Sequence, residues 1–400
     1  MSFINFLGRW PKNFISKIKE KFSGIASIPK VTIIIPVRNA ARTMGVMFEH
    51  LMSLDYSHDR LEIIIADGGS DDGTMEIIQN WHKKYPWIKL VEITNCQSPG
   101  QARNEALKHT TGDYVLFTDG DCAPQKDWIK KILEPFFMDP QIGAVGGEIL
   151  TLRAEPDNLT ESYCEQVRFL SHTGRCGVFE SGYMPPIREY LPHEVNGGDN
   201  SAFFATANVA YSIKALKMAN MEFWHEKTGE DVDLAIRIQK AGFKQFYQKE
   251  AVVYHMHRVT LPSYLKQWHG YGFGHPLLVK NHAKGNMLEI VFQFGRQGVS
   301  LALPWPGKGI IHLGKFHLMH LFGILFIISA IIRPASILSG ILGAFFIWFL
   351  AIYFWPCLKL RPARYFFTWC KIRYLTNWTF IKGSLDGMKE FGTICIEPSW

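Results

Sequence analysis

Carboxylates gather at three points along the chain, each in a setting that could put them to work. They are Asp67 in IIIADGGSDDGT, Asp119 and Asp121 in DYVLFTDGDC, and Glu230 with Asp231 in TGEDVDLAIRI. The middle pair matters most. Two carboxylates one residue apart, just past an apolar run, can hold a divalent cation against a diphosphate. Hard oxygen ligands suit Mg2+ or Mn2+, which keep one or two carboxylates and let substrate phosphates complete the octahedron. An isolated Asp-Gly-Asp is also an ordinary solvated turn, so the company it keeps decides.

That company is a set of elements able to position it. Tyr114 to Thr118 is a short β-rich run between the turn-forming pairs Gly112-Asp113 and Gly120-Asp121, which predicts a strand with Asp119 and Asp121 at its carboxyl end. In open α/β sheets ligands bind outside those ends. Upstream, VTIIIPVRN reads as a strand ending at Pro36, Ala40 to Leu54 as a helix, and Leu61 to Ala66 as a second strand entering a Gly-rich loop. Strand, helix, strand, loop, helix is the pattern of a parallel, nucleotide-binding sheet. Asp67 is placed there to accept a hydrogen bond from a base or ribose, and Asp72 to cap the helix at Met75 to Trp81. Asp231 opens a helical pattern through Val232, Leu234, Ala235, Ile236 and Ile238, where a carboxylate serves either as an N-terminal cap or as a reactive group. His255 and His257, in VVYHMHR, fall on one side of a strand end.

In the order TIIIPVRN, ADGGSDDGT, SPGQARNEALKHTTGDYVLFTDGDC, VGGE, TANVAYS and GEDVDLAIRIQKAG, the segment from about 30 to 275 resembles an inverting family 2 glycosyltransferase. The resemblance implies a GT-A fold, an α/β, Rossmann-like, mostly parallel sheet. It implies that Asp67 contacts the nucleoside, that Arg103 lies near the diphosphate, that Asp119 and Asp121 hold Mg2+ or Mn2+, and that Asp231 is the general base with Glu230 orienting the acceptor. On the same motifs Pro36, Arg38, Gly69, Asn104 and Asn208 are assigned to substrate binding, and His257 is carried as a further metal ligand. The implied partners are a nucleotide-sugar donor, UDP- or GDP-linked, and a glycan or lipid-linked acceptor. Processive members carry a QxxRW box, whereas this chain reads Gln267, Trp268, His269, Gly270, Tyr271. That departure favours addition of one or a few sugars.

The remaining chain must be explained separately. The domains expected are a basic amphipathic segment at 1–28, the transferase domain at 29–275, linker or interfacial helices at 276–315, a two-helix membrane hairpin at 316–356 and a basic cytoplasmic tail at 357–400. The hairpin reading rests on two long uncharged runs around Arg333-Pro334, with core helices of a second soluble domain and a re-entrant hairpin as alternatives. Lys359, Arg361, Arg364, Lys371 and Arg373 follow the second run, which by the positive-inside rule keeps the catalytic part and the tail cytoplasmic. The N-terminal segment sets Phe14, Ile15, Ile18 and Phe22 among lysines, as a helix on an anionic membrane surface would.

A net charge of +7 also fits nucleic-acid binding, but the basic residues sit beside apolar runs and no nucleic-acid module is recognisable. The seven cysteines form no CxxC pair, which argues for reduced thiols rather than a metal cluster. The stretch from Thr151 to Gly198 reads as a mobile acceptor loop carrying His172, Arg175 and His193. The competing functional class is a catalytically inactive scaffold that keeps the fold within a glycan-assembly complex. Joint retention of Asp119, Asp121 and Asp231 argues for the enzyme.

Overall fold

The computed structural model describes residues 28–185, 203–294, 297–333 and 336–397. The amphipathic segment expected at 1–28 therefore lies outside the described residues except for Ile28, as does His193. The chain divides into two compact units, one of Met1–Arg153, Arg168–Ile187 and Ala202–His257, the other of Ala154–Val167, Arg188–Ser201 and Arg258–Trp400. The transferase segment expected to run to 275 thus ends as a unit at His257.

In the first unit β1 (Val31–Val37), β2 (Leu61–Asp67) and β3 (Ile88–Glu92) follow one another in parallel, and β4 (Tyr114–Phe117) joins β1 on its other side. Both β1 and β2 are buried along their whole length, as the continuous β-branched runs of a parallel sheet covered on both faces must be. The covers alternate with the pleat. Ile33 and Ile35 pack with α1 (Ala41–Met52), α2 (Thr74–Lys84) and α4 (Trp128–Met138), while Ile34 packs on the other side with α3 (Pro99–Leu107) and α8 (Glu230–Lys240).

Beyond β4 the sheet continues through β8 (Val209–Ser212), antiparallel, then β6 (Ile142–Thr151) and β9 (Lys244–His255), parallel to each other, with β5 (Cys122–Pro124) at the edge. Counting β7 (Gly182–Tyr183) on β9, the described residues form a nine-stranded mixed sheet. Short helices α6 (His172–Cys176) and α7 (Ile213–Met218) complete this unit, and α5 (Leu159–Gln166) belongs to the second. The β1–β4 ladder ends at Ile34 with Phe117, two residues before Pro36. A proline has no N–H to give to a ladder, so the sheet opens there, with the carboxyl ends of β1, β2 and β4 around the opening.

The second unit corrects the expected linker. Residues 287–313 are three strands rather than interfacial helices: β10 (Met287–Phe294), β11 (Gln297–Pro304) and β12 (Lys308–Leu313), with β13 (Ile394–Ile396) closing a sheet in the order β11-β10-β12-β13. Alternating apolar and polar residues set that strand period, and the preceding helix stops at His282, where α9 (Leu261–His282) ends. The expected tail is likewise ordered, since Phe366–Phe391 forms the 26-residue helix α12. Between these lie α10 (Lys315–Ile332) and α11 (Ile337–Phe354), each 18 residues, or about 27 Å at 1.5 Å per residue. Both are long and apolar enough to cross a membrane.

Candidate functional site

The Asp-Gly-Asp turn is fixed from both sides. Thr118, just past β4, donates its hydroxyl to the Ala207 carbonyl at 3.0 Å, and Thr43 on α1 donates to the Gly120 carbonyl at 2.7 Å. A Cβ on Gly120 would stand 2.7 Å from Val37 Cγ1, so the close approach of this turn to β1 requires glycine. Asp119 and Asp121 remain partly exposed, at 29% and 16% of their side-chain surfaces.

Arg103 ties this turn to a distant element. It projects from α3, whose first turn is capped by Ser98 accepting from Gln101 N, and it is only 3% exposed. Its guanidinium donates Nη2 to Asp119 at 2.9 Å and Nη1 to Glu230 at 2.7 Å. Burial opposes the Arg103 charge, but Asp119 and Glu230, with Asp231 behind them, outweigh it and hold the group firmly protonated. The neighbouring Asn104 exchanges two hydrogen bonds of 2.7 Å with the Phe223 backbone, and Arg103 lies over the Phe223 ring. So α3 also positions the chain leading to Glu230.

Gly229, at φ +84°, turns the backbone into α8. The left-handed conformation favours glycine at that position, and Glu230 and Asp231 follow at once. Glu230 is buried, and its carboxyl is pushed from 4.5 to about 7 by burial and by the Asp231 charge, against the pull of Arg103. Asp231 is half-buried, with one oxygen accepting from Val232 N at 2.8 Å. Further along the helix Asp233 pairs with Arg237 at 2.7 Å.

An imidazole approaches the turn from β9. His255 Nε2 lies 3.4 Å from Asp121 Oδ1, and its buried Nδ1 has no hydrogen-bond partner. Ligand atoms of Asp121, Cys122 and His255 fall within 4.8 Å of one another. Burial and the flanking Asp121 and Asp119 push the Cys122 thiol up, which keeps it neutral and leaves carboxylate and imidazole as donors. Those donors, beside the Asp119 carboxylate, fit a hard divalent cation. His257 lies beside this imidazole, its ring 4.8 Å from that of His255 and its Nε2 2.9 Å from Thr151 Oγ1.

The other predicted residues divide by what they touch. Asp67 is 1% exposed and accepts from Gly69 N and Ser70 N, each at 2.9 Å, and from the Ser70 hydroxyl. Its carboxylate thus shapes the loop, with Gly69 at φ +81°. Asp72 accepts from Thr74 N at the start of α2 and also from Ala41 N at the start of α1. Pro36 is buried in β1, and Arg38 is exposed, reaching the Cys96 carbonyl at 3.1 Å. Asn208 is 1% exposed; its amide donates to the Glu148 and Ala251 carbonyls at 2.8 Å and accepts from Trp128 Nε1 at 2.8 Å. That full set of bonds makes Asn208 a clamp between β6, β8, β9 and α4, in place of the sugar contact expected for it.

Known proteins match both the sequence and this architecture. The family model Glycosyl transferase family 2 matches residues 32–158, and the model Glycosyl transferase family group 2 matches residues 114–358. The probable glycosyltransferase YdaM of Bacillus subtilis (strain 168) is 25% identical over 277 residues, 67% of this chain and 57% of that protein. A dolichyl N-acetyl-alpha-D-glucosaminyl phosphate 3-beta-D-2,3-diacetamido-2,3-dideoxy-beta-D-glucuronosyltransferase of Methanococcus voltae is 24% identical over 263 residues, 62% of this chain and 74% of that protein. The chain therefore spans a little over half the length of the first relative and about three quarters of the second. Among solved structures, the mannosyltransferase PcManGT of Pyrobaculum calidifontis, in complex with GDP-Man and Mn2+, shares the fold at a TM-score of 0.53 and 17% identity, covering 94% of this chain and 98% of that one. With the sheet opening, the acidic turn and the α8 carboxylates in their expected order, the chain belongs to the family 2 glycosyltransferases of GT-A fold.

Proposed function

We propose that the protein moves a sugar from a nucleotide-diphosphate donor to a glycan or lipid-linked acceptor at the cytoplasmic face of a membrane, with inversion at the sugar carbon and without processive elongation. The observation that carries this reading is the Arg103 bridge, which joins Asp119 of the acidic turn to Glu230 beside Asp231. One buried guanidinium thereby sets the spacing between the diphosphate end of the site and its proton-accepting end. PcManGT was solved with GDP-Man and Mn2+, and a relative is named for transfer to a dolichyl-linked sugar phosphate. Both are consistent with a nucleotide-sugar donor and a lipid-linked acceptor here.

In this reading Asp119, Asp121 and His255 hold Mg2+ or Mn2+, with His257 behind them. The cation supplies Lewis-acid stabilisation of the leaving diphosphate. Asp67, Gly69, Pro36 and Arg38 line the nucleoside side of the opening. Asp231 takes the proton from the acceptor hydroxyl as its oxygen bonds to the anomeric carbon. The bond from that carbon to the diphosphate oxygen breaks on the opposite face, and the nucleotide diphosphate leaves with the electron pair. Arg103 keeps a fixed positive charge beside it.

The helices α10 and α11 anchor the chain as a membrane hairpin. Ile324, Ile327, Ile331, Ile341 and Ile347 are all exposed on them, as a lipid-facing surface would be. Lys315 opens the first helix and Lys359 and Arg361 follow the second, so three basic residues gather at one end against Arg333 at the turn. By the positive-inside rule that end is cytoplasmic.

The test is nucleotide diphosphate release by the full chain in nanodiscs, across a panel of nucleotide sugars with Mn2+ or Mg2+ and with a glycan or lipid-linked acceptor mixture. Release from one donor, abolished by chelator and restored by either cation, is the expected result. Absence of both release and donor binding across the panel would leave the inactive scaffold as the better account.

A further inference from the structure

Successive side chains of a strand point to opposite faces, and directly paired residues on neighbouring strands share a face. In the second unit this rule sorts the sheet in an unusual way. Leu288, Ile290 and Phe292 of β10 share a face, and the register Leu288 with Leu303, Ile290 with Leu301 and Phe292 with Val299 extends it across β11. Pairing of Ile290 with Ile311 and Phe292 with Leu313 adds β12, and Ile311 with Ile396 adds β13. Each of these side chains is half-buried or exposed, up to 70% for Val299 and 55% for Leu301. None of these side chains is charged or hydrogen-bonding.

The opposite face carries charged residues among the buried Val291, Ile310 and Cys395. Glu289 is 1% exposed and Glu397 is 6% exposed. His275 Nδ1 lies 2.9 Å from the Glu397 carboxylate, and His312 Nδ1 lies 3.8 Å from it. A half-covered sheet in water turns its apolar residues in and its polar residues out. Here the uncovered face is apolar while the covered face takes in two carboxylates, and a large apolar face on an open-edged sheet in water invites association.

We infer that this face lies in the headgroup and acyl-chain boundary of a lipid bilayer, as a second membrane contact beside α10 and α11. The inference rests on reading those helices as membrane spans, and adds a β-sheet surface to them. Continuity favours lipid over a second copy of the chain. Strand β12 ends at Leu313, and α10 begins two residues later at Lys315, so the sheet is tethered where a span would enter the bilayer. Trp305, 42% exposed, follows β11, and indole rings favour the membrane–water boundary. Lys284 and Lys315 are exposed at the ends of the segment that carries the three consecutive strands, where anionic headgroups would attract them.

The experiment places an environment-sensitive fluorescent amino acid at one position at a time in the full chain: at Leu301 on the apolar face, at Ser300 on the opposite face, or at Ile341 on α11. The protein is reconstituted in nanodiscs of phosphatidylcholine and phosphatidylglycerol, with or without doxyl-labelled acyl chains, and titrated with iodide. The expected result is loss of emission to doxyl lipid at 301 and 341 with protection from iodide, and the reverse at 300. Quenching at 341 with iodide access at 301 would overturn the sheet contact while leaving the hairpin standing. Protection of 301 from both quenchers would overturn it in favour of a protein cover, such as a second copy. Failure of doxyl quenching at both 301 and 341 would remove the hairpin reading and the sheet contact together.

Discussion

The two sheets of this protein obey the same stereochemistry and reach opposite results. In the first unit both faces are apolar and buried, with Ile33, Ile34 and Ile35 all at 0% exposure, and the charged residues stand at strand ends and helix starts, where Asp67, Asp119 and Glu230 are. In the second unit Glu289 and Glu397 are buried and Val299 and Leu301 are exposed. The difference teaches that a sheet's surroundings, more than its propensities, decide which alternate residues are apolar. A sheet wrapped by helices needs apolar residues on both sides and does chemistry at its edge; a sheet with one bare apolar face needs a non-aqueous neighbour.

The sharpest way to break this contrast is to place one charge in each sheet. Ile34→Asp should abolish folding of the full chain, since an unpaired carboxylate would be buried between helices and strands. Leu301→Asp should leave the melting temperature in detergent within a few degrees of the parent and weaken only retention on vesicles. Equal damage from both substitutions, read by thermal unfolding, would show that the two sheets meet the same surroundings.

Within the first unit, Arg103→Ala should cost about 3–5 kcal/mol of stability, because it strands the Asp119 and Glu230 carboxylates beside one another without their cation. Chemical denaturation measures this, and added Mn2+ should recover part of the loss if the turn takes up the ion. Asn208→Ala should cost about 1–3 kcal/mol by leaving the Trp128 indole N–H and two carbonyls unpaired. Its KM for donor should match the parent's. A raised KM with unchanged stability would return Asn208 to the ligand-binding residues.

The smallest effect concerns pH. The Glu230 carboxyl lies at about 7 in the folded chain against 4.5 ordinarily, so between those values the folded state binds more protons than the unfolded state. Stability from this group is therefore greatest at the acid end of that window and declines as pH rises through about 7. Glu230→Gln should flatten that part of the curve of melting temperature against pH. An unchanged slope would show that the burial of Glu230 does not set it.

Local pattern carried the architecture of the first unit well. Continuous apolar runs such as VTIIIPV identify buried parallel strands, and the order of the acidic motifs orders the site along the chain. What pattern could not supply was pairing at long range. Arg103 and Glu230 are separated by 127 positions, and only the packing of α3 against Phe223 brings them together. The bonds of Asn208 were hidden for a related reason: a family motif in sequence does not show the Trp128 indole and the two carbonyls that surround it. The meeting of His255 with Asp121 is likewise a long-range pairing, set by the ladder between β5 and β9. In the second unit, the strands from 287 to 313 read in sequence as linker or interfacial helices, because a short apolar run reads alike in either form. Their alternation holds the uncovered apolar face that gives the sheet its meaning.

The central claim, that Asp231 takes the acceptor proton in a site assembled by the Arg103 bridge, is tested most directly by comparing Asp231→Asn with the parent for donor binding and sugar transfer on the same preparation. The account predicts donor affinity within about twofold of the parent and transfer slowed by about 1,000-fold, within the 100- to 10,000-fold range for loss of a positioned base. Transfer retained at the parental rate, or donor affinity lost along with it, would contradict the assignment.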